Sequence, residues 1–253
     1  MIELTHRGSV TVLRLAHGKA NALDLELCEA LTSLLDDCQR SPSTGALVLT
    51  GTGRMFSAGV DLLRLVADGA SYVRVFLPSV SRMFQTLFTF NKPVVAAVNG
   101  YAIAGGCVMV SSADARLMAR ESGRIGIPEL LVGVPFPVVP LEIMRFAAPS
   151  QYIQSLAYRG LTLTGDEALR HGLVDTVTDP DRLLDEAVAA AESLAALPPS
   201  AFALTKGQLR APSLQRMSAG ASIDAAVQEV WASAETLAAI RDYVARTFKK
   251  PSS

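Results

Sequence analysis

The chain has 253 residues, half of them hydrophobic and only 19% charged, which excludes a largely disordered polypeptide and allows a sizeable core. Lys and Arg number 23 against 24 acidic residues, so a net charge of -1 gives no pull towards nucleic-acid phosphates or anionic membranes. The cysteines Cys28, Cys38 and Cys107 form no CxxC pair, and the first seven residues carry no signal-peptide pattern; reduced thiols in a cytoplasmic setting are expected.

Taken in chain order, residues 10–15 alternate as a strand, and 46–49 form a short buried one. Between them Leu23, Leu27, Leu31, Leu34, Leu35 and Cys38 recur at helical spacing, with Asn21 or Asp24 available as the cap. The apolar run 93–111 contains Asn99 and three glycines, so it reads as strand, turn and buried helix and not as a membrane span. Residues 115–119 and 173–177 are shorter strand candidates. This alternation through about residue 180 predicts an α/β architecture. Beyond it, 182–197 and 223–247 are alanine-rich and helical, with Pro198-Pro199 as a break. The division expected is a core over 1–195 and a helical C-terminal region, a lid or assembly surface, over 196–253.

Three glycine-containing turns follow apolar strands, at 50–62, 99–108 and 123–133. Ala58-Gly59 and Gly105-Gly106 would let a backbone approach a ligand closely. If Gly105 or Gly106 begins a helix, free N–H groups point at whatever lies in front, and two N–H groups from different loops could grip an oxyanion. The same segments read equally as ordinary turns. Glu129 follows Pro128 in an apolar stretch, where it could be a carboxylate in a helix's first turn or a partly desolvated base. No phosphate-binding glycine loop, nucleophile elbow or HExxH occurs. His6, His17 and His171 are scattered and read as surface histidines, so no metal site is expected.

The ordered runs Phe56-Ser57-Ala58-Gly59-Val60-Asp61-Leu62, then 92–102, Gly105-Gly106-Cys107, Ala113-Asp114, Pro128-Glu129, 163–168 and Gly172-Leu173-Val174 together resemble the enoyl-CoA hydratase/isomerase (crotonase) family over nearly the whole chain. The resemblance implies a spiral of ββα repeats with a helical C-terminal region, assembled as homotrimers or paired trimers (homohexamers). It also implies an acyl-CoA substrate, with no cofactor beyond the coenzyme A that the substrate carries. By the same resemblance the N–H groups of Ala58 and Gly105 hold the thioester oxygen, and Glu129 is the acid/base. Ala20, Ala22, Asp61 and Leu62 line the CoA site, with Ser57, Val108 and Phe136 also against substrate. The tail residues Phe248-Lys249 resemble a segment that reaches a neighbouring subunit's CoA phosphates, which makes Lys249 a binding candidate.

Two departures bear on the reaction. Hydratases of the family carry a glutamate just after the Gly-Gly-Cys turn, where this chain has Val108, and a glycine-rich turn after Pro-Glu, where it has 133–140 with three prolines. A single base suits moving a proton between carbons better than splitting water, so migration of a Δ3 double bond to Δ2 is expected, with hydration of a 2-enoyl-CoA as the alternative. Glu142 and Asp61 are possible substitute acids. Two further alternatives are a non-catalytic CoA-thioester-binding or interaction protein on the same fold, and a serine hydrolase using Ser57. The lack of a basic stretch argues against RNA, and the lack of a nearby histidine argues against the hydrolase.

Overall fold

A computed structural model describes residues 1–247; Phe248 and the binding candidate Lys249 lie outside them. The first elements are β1 (Ile2–Arg7), β2 (Val10–Leu15), α1 (Leu25–Arg40), β3 (Ala46–Thr50), β4 (Met55–Ser57) and α2 (Leu62–Thr89). Next come β5 (Val94–Val98), β6 (Tyr101–Ile103), α3 (Gly105–Ser111), β7 (Ala115–Ala119), β8 (Ile125–Gly126) and α4 (Glu129–Val132). The chain continues through α5 (Val138–Ala147), α6 (Ser150–Arg159), β9 (Thr162–Leu163), α7 (Gly165–Arg170) and β10 (Thr176–Thr178). It closes with α8 (Leu183–Ala195), α9 (Pro199–Ala219), α10 (Ala221–Ala232) and α11 (Ala234–Thr247).

The repeat is visible in the strand pairing. One sheet runs β1-β2-β3-β5-β7-β10 and the other β4-β6-β8-β9. Each ββα unit therefore gives its first strand to one sheet and its second to the other, then adds a helix: β3-β4-α2, β5-β6-α3, β7-β8-α4. The pairs β2·β3, β3·β5 and β5·β7 are parallel, as crossover connections require. Strands β3 and β5 are buried throughout, which is why they read as continuous apolar runs and not as alternating ones. Their two faces serve two cores. Val48, Val95 and Ala97 meet Leu183, Ala187 and Ala191 of α8, while Leu47, Leu49 and Ala96 join the main core.

Asp24, not Asn21, caps α1, its carboxylate accepting from Leu27 N at 2.8 Å. Helix α2 has no counterpart in the periodicity reading. Gly69 (φ +67°) breaks it and Pro78 lies inside it, so the pattern is interrupted twice, although Val73, Phe76, Leu77, Val80 and Phe84 form one buried face. Strand β1 was equally hidden: it is an edge strand with five exposed residues of six. The C-terminal helices do not stand apart. Met217, Val227, Trp231 and Ile240 share the main hydrophobic core, and α10 and α11 pack on α2 of the same chain. The break expected at Pro198-Pro199 is the start of α9, with Pro199 in its first turn, where a missing N–H costs nothing.

The docking of α9 is charged and buried. Asp114, at the end of the turn after α3, accepts from Lys206 Nζ at 2.6 Å and Arg210 at 2.8 Å, and both cations are almost fully buried. Arg210 also stacks over the Phe88 ring, 4.3 Å from its centroid. Among the described residues no single helix is long and apolar enough to cross a membrane.

Candidate active site

A cavity of about 730 Å³ opens between the loop 17–22, the two glycine turns, α2, α4 and the C-terminal helices. It is built where the repeat leaves strand-to-helix turns side by side. Asn99 ties the first two turns together: its Oδ1 accepts from Gly51 N at 2.8 Å, and its Nδ2 donates to Gly53 O at 3.0 Å. Gly59 (φ +80°) and Gly105 then pack against each other. A Cβ on Gly59 would stand 2.7 Å from Ala104 Cβ and 3.0 Å from Gly105 N, so the site tolerates only glycine there. A Cβ on Gly106 would collide with the Ser57 carbonyl.

Ala104, which precedes α3, has φ +53° and ψ -121°, a region a non-glycine residue rarely enters. Its N–H is held by Gly126 O at 2.8 Å, and Val108 N returns to its carbonyl at 3.1 Å. This turn starts α3 at Gly105, whose N–H finds no acceptor among the described residues. Ala58 differs: its N–H donates to Ala20 O at 3.0 Å. Ala20, Ala22, Ala58, Asp61, Leu62, Gly105, Val108, Glu129 and Phe136 all lie on the cavity wall. Ser57 does not. It is fully buried, its hydroxyl donating to Asn21 O at 2.7 Å and accepting from Gly59 N at 3.1 Å, so it braces the loop from behind. That placement also leaves no serine on the wall among the described residues.

Glu129 is the first residue of α4. Its Oε2 is buried and without a hydrogen-bond partner among the described residues. Burial pushes its carboxyl up to about 8, its own backbone N–H offsetting only part of that. The buried Cys107 thiol is raised as well, first by desolvation and then by Glu129. Asp61, the other carboxylate on the wall, caps α2 by accepting from Arg64 N at 3.0 Å. Glu142 is off the wall, buried between Arg145 at 2.9 Å and Arg216 at 2.5 Å. Both candidate substitute acids are thus engaged elsewhere, Asp61 with a helix N-terminus and Glu142 with two arginines.

Pattern reasoning missed several wall residues. His17 is not a plain surface histidine: it lies on the cavity wall with its Nε2 2.6 Å from Asp24 Oδ2, beside the exposed Gly18 and Lys19. His171 packs on Tyr152, with ring centroids 3.8 Å apart. Leu77, Val80 and Phe84 come from the unrecognised α2, and Trp231 and Tyr243 from α10 and α11. Asn21 (φ +46°) shapes the loop by accepting from His17 N at 2.8 Å and donating to Met55 O and Phe56 O, each at 3.2 Å. Among the described residues no group of three His, Cys, Asp or Glu side chains is placed to hold a metal.

The geometry is therefore an apolar chamber with one free buried carboxyl group, two facing glycine turns and a polar rim at loop 17–22. A profile of the family described as enoyl-CoA hydratase/isomerase matches residues 5–246. A protein of Thermus thermophilus named putative enoyl-CoA hydratase is 36% identical over 196 residues, covering 76% of this chain and 77% of its own length. A solved structure of a Mycobacterium tuberculosis protein named enoyl-CoA isomerase superposes with a TM-score of 0.80 at 31% identity, over 90% of this chain and 96% of that one, and a second structure of that protein is named probable enoyl-CoA hydratase. The human mitochondrial delta3-delta2-enoyl-CoA isomerase superposes with a TM-score of 0.92 over 97% of both chains; at 23% identity it is a likeness of fold alone.

Proposed function

This chain belongs to the enoyl-CoA hydratase/isomerase family, and from that premise we propose that it migrates the double bond of an enoyl-CoA from Δ3 to Δ2. The observation that carries the reading is the Glu129 carboxyl, buried and unpartnered on the same wall as the apolar Val108. Gly105 N–H and Ala58 N–H hold the thioester oxygen, so that charge developing there is stabilised as it forms. The Glu129 carboxylate takes the proton from C2, and the charge spreads over a dienolate. The same carboxyl group then returns the proton to C4, which places the double bond between C2 and C3. One proton moves, no water enters, and no oxidant or reductant is needed.

The apolar residues 134–140, three of them proline, support this reading because they keep water from the base. The Mycobacterium tuberculosis relative is named for both reactions, enoyl-CoA isomerase in one structure and probable enoyl-CoA hydratase in another, so its name favours neither. Hydration of a 2-enoyl-CoA is the second reading, favoured by the name of the Thermus thermophilus relative. It would require a water held against Glu129, for which the wall offers no second free carboxylate. A silent CoA-thioester binder would have no use for a carboxyl kept ionisable near neutrality. Cytoplasmic homotrimers or paired trimers, with coenzyme A entering only as part of the substrate, complete the proposal.

The test is direct. Purified protein given a 3-enoyl-CoA should show growing absorbance of the conjugated 2-enoyl thioester. Efficient hydration of 2-enoyl-CoA without any migration would sink the reading.

A further inference from the structure

The cavity has two chemically different ends. Loop 17–22 supplies His17 and Lys19 beside solvent-exposed backbone, which suits a charged, hydrated portion of a ligand. The rest of the wall includes Val132, Val134, Phe136 and Pro140, which follow Glu129 in the chain, and Val80 and Phe84 of α2, with no charged side chain among them. Helix α10 adds Trp231 to this apolar wall, the chain's one tryptophan, which is only 3% exposed.

Trp231 does more than occupy space. Its Nε1 donates to the Pro135 carbonyl at 2.8 Å. Seven residues earlier on the same helix, Asp224 accepts from Val138 N at 2.8 Å and so caps α5. These two bonds pin both ends of 135–138 to α10. That loop leaves α4 through Gly133 (φ +94°), and Val134 N returns to Glu129 O at 3.1 Å. One indole thus lies on the apolar wall and anchors the backbone that follows Glu129.

We propose that Trp231 is the specificity-determining residue for the acyl chain, its indole face limiting length and width while its N–H fixes the loop behind Glu129. The inference rests on the acyl-CoA reading of the cavity but not on which reaction Glu129 performs. It assigns the hydrocarbon part of the substrate to the α10–α11 end and the polar part to loop 17–22.

The wild-type protein provides the first test, because all tryptophan emission comes from this residue. Titration with saturated butanoyl-, octanoyl- and dodecanoyl-CoA, which cannot react, should shift Trp231 emission in a chain-length-dependent way, while coenzyme A alone should not. In Trp231→Ala the ratio of dodecanoyl- to butanoyl-CoA dissociation constants should move by about tenfold or more in favour of the longer chain, the scale of size discrimination in an apolar pocket. Trp231→Phe keeps an aromatic wall without the N–H; it should keep the chain-length order and lose turnover. An emission change that coenzyme A alone reproduces would overturn the proposal. So would an unchanged ratio in Trp231→Ala of native circular dichroism, or a Trp231→Phe that matches Trp231→Ala in chain-length order. Chain-length-dependent binding without double-bond migration would remove the migration reading and leave this one standing. Migration with silent emission would do the reverse.

Discussion

The backbone N–H of Ala58 donates to the carbonyl of Ala20 at 3.0 Å, so one of the two groups assigned to the thioester oxygen already has an acceptor. An arriving oxygen must share that proton in a three-centre bond or displace the Ala20 carbonyl. Gly105 N–H has no such competitor among the described residues. Addition of a saturated acyl-CoA should therefore move the amide resonances of both Ala58 and Gly105, with Ala20 following Ala58. Movement at Gly105 with none at Ala58 would remove Ala58 from the site.

Gly59→Ala should damage catalysis more than folding. The new methyl would stand 2.7 Å from Ala104 Cβ, at a φ of +80° that favours glycine, and would push the two turns apart. A misplacement of about 1 Å in a reacting geometry costs roughly a hundredfold in rate. Steady-state kinetics should show that loss in kcat/KM with a near-native circular dichroism spectrum; full activity would mean the turns need not touch.

Glu129 gives paired predictions in pH. The folded state holds its proton up to about 8, whereas the unfolded chain releases it near 4.5. As pH rises between those values the unfolded state is increasingly favoured, so this carboxyl destabilises the fold, fully so above about 8. Glu129→Gln should therefore melt higher than wild type, by a margin that grows from pH 4.5 to 8 and then stays level. The same variant should bind saturated acyl-CoAs and turn over none. Since the base must be ionised, wild-type kcat/KM should rise about tenfold per pH unit below a limb near 8 and flatten above it. A profile flat through that range would mean another group takes the proton.

Val108→Glu asks whether the missing second carboxylate decides the reaction. Val108 is 1% exposed and on the cavity wall, so a glutamate there would raise both carboxyls and offer a second site for water. Product analysis should show the ratio of hydration to migration rising, with a lower melting temperature. An unchanged ratio in folded protein would shift the explanation to the proline-rich loop.

Asp114→Ala tests the buried join between core and C-terminal helices. It would leave Lys206 and Arg210 without their carboxylate, and removing one partner of a buried ion group costs about 3–5 kcal/mol. For a chain of this size that lowers Tm by roughly 6–20 °C. Thermal unfolding followed by circular dichroism would show it, and a change within about 2 °C would mean that packing of Phe88 and Phe146 on Arg210 suffices.

Much of this molecule was legible before any coordinates. The buried strands β3 and β5 announce themselves as apolar runs, α1 by leucine spacing, and the glycine turns by the residues a close backbone approach demands. The family resemblance, carried by ordered motifs, marked Ala58, Gly105 and Glu129. Helix α2 stayed hidden because Gly69 and Pro78 break a pattern that exists only when read across them. The resemblance sets Ser57 against substrate, but its hydroxyl is spent behind the loop on Asn21 O and Gly59 N, a pairing that only the folded chain brings together.

The α/β class and the family follow from the sequence, since they depend on local spacing and ordered motifs, and those motifs also put Glu129 forward as the candidate base. The tertiary structure alone decided which side chains share the chamber with Glu129. His17, Val80, Trp231 and Tyr243 are distant in sequence and meet only because the spiral and the returning α10 and α11 bring them together. It also decided the environment of Glu129. A carboxyl after a proline is ordinary; removal of its Oε2 from water, without a partner, is what lifts it to about 8.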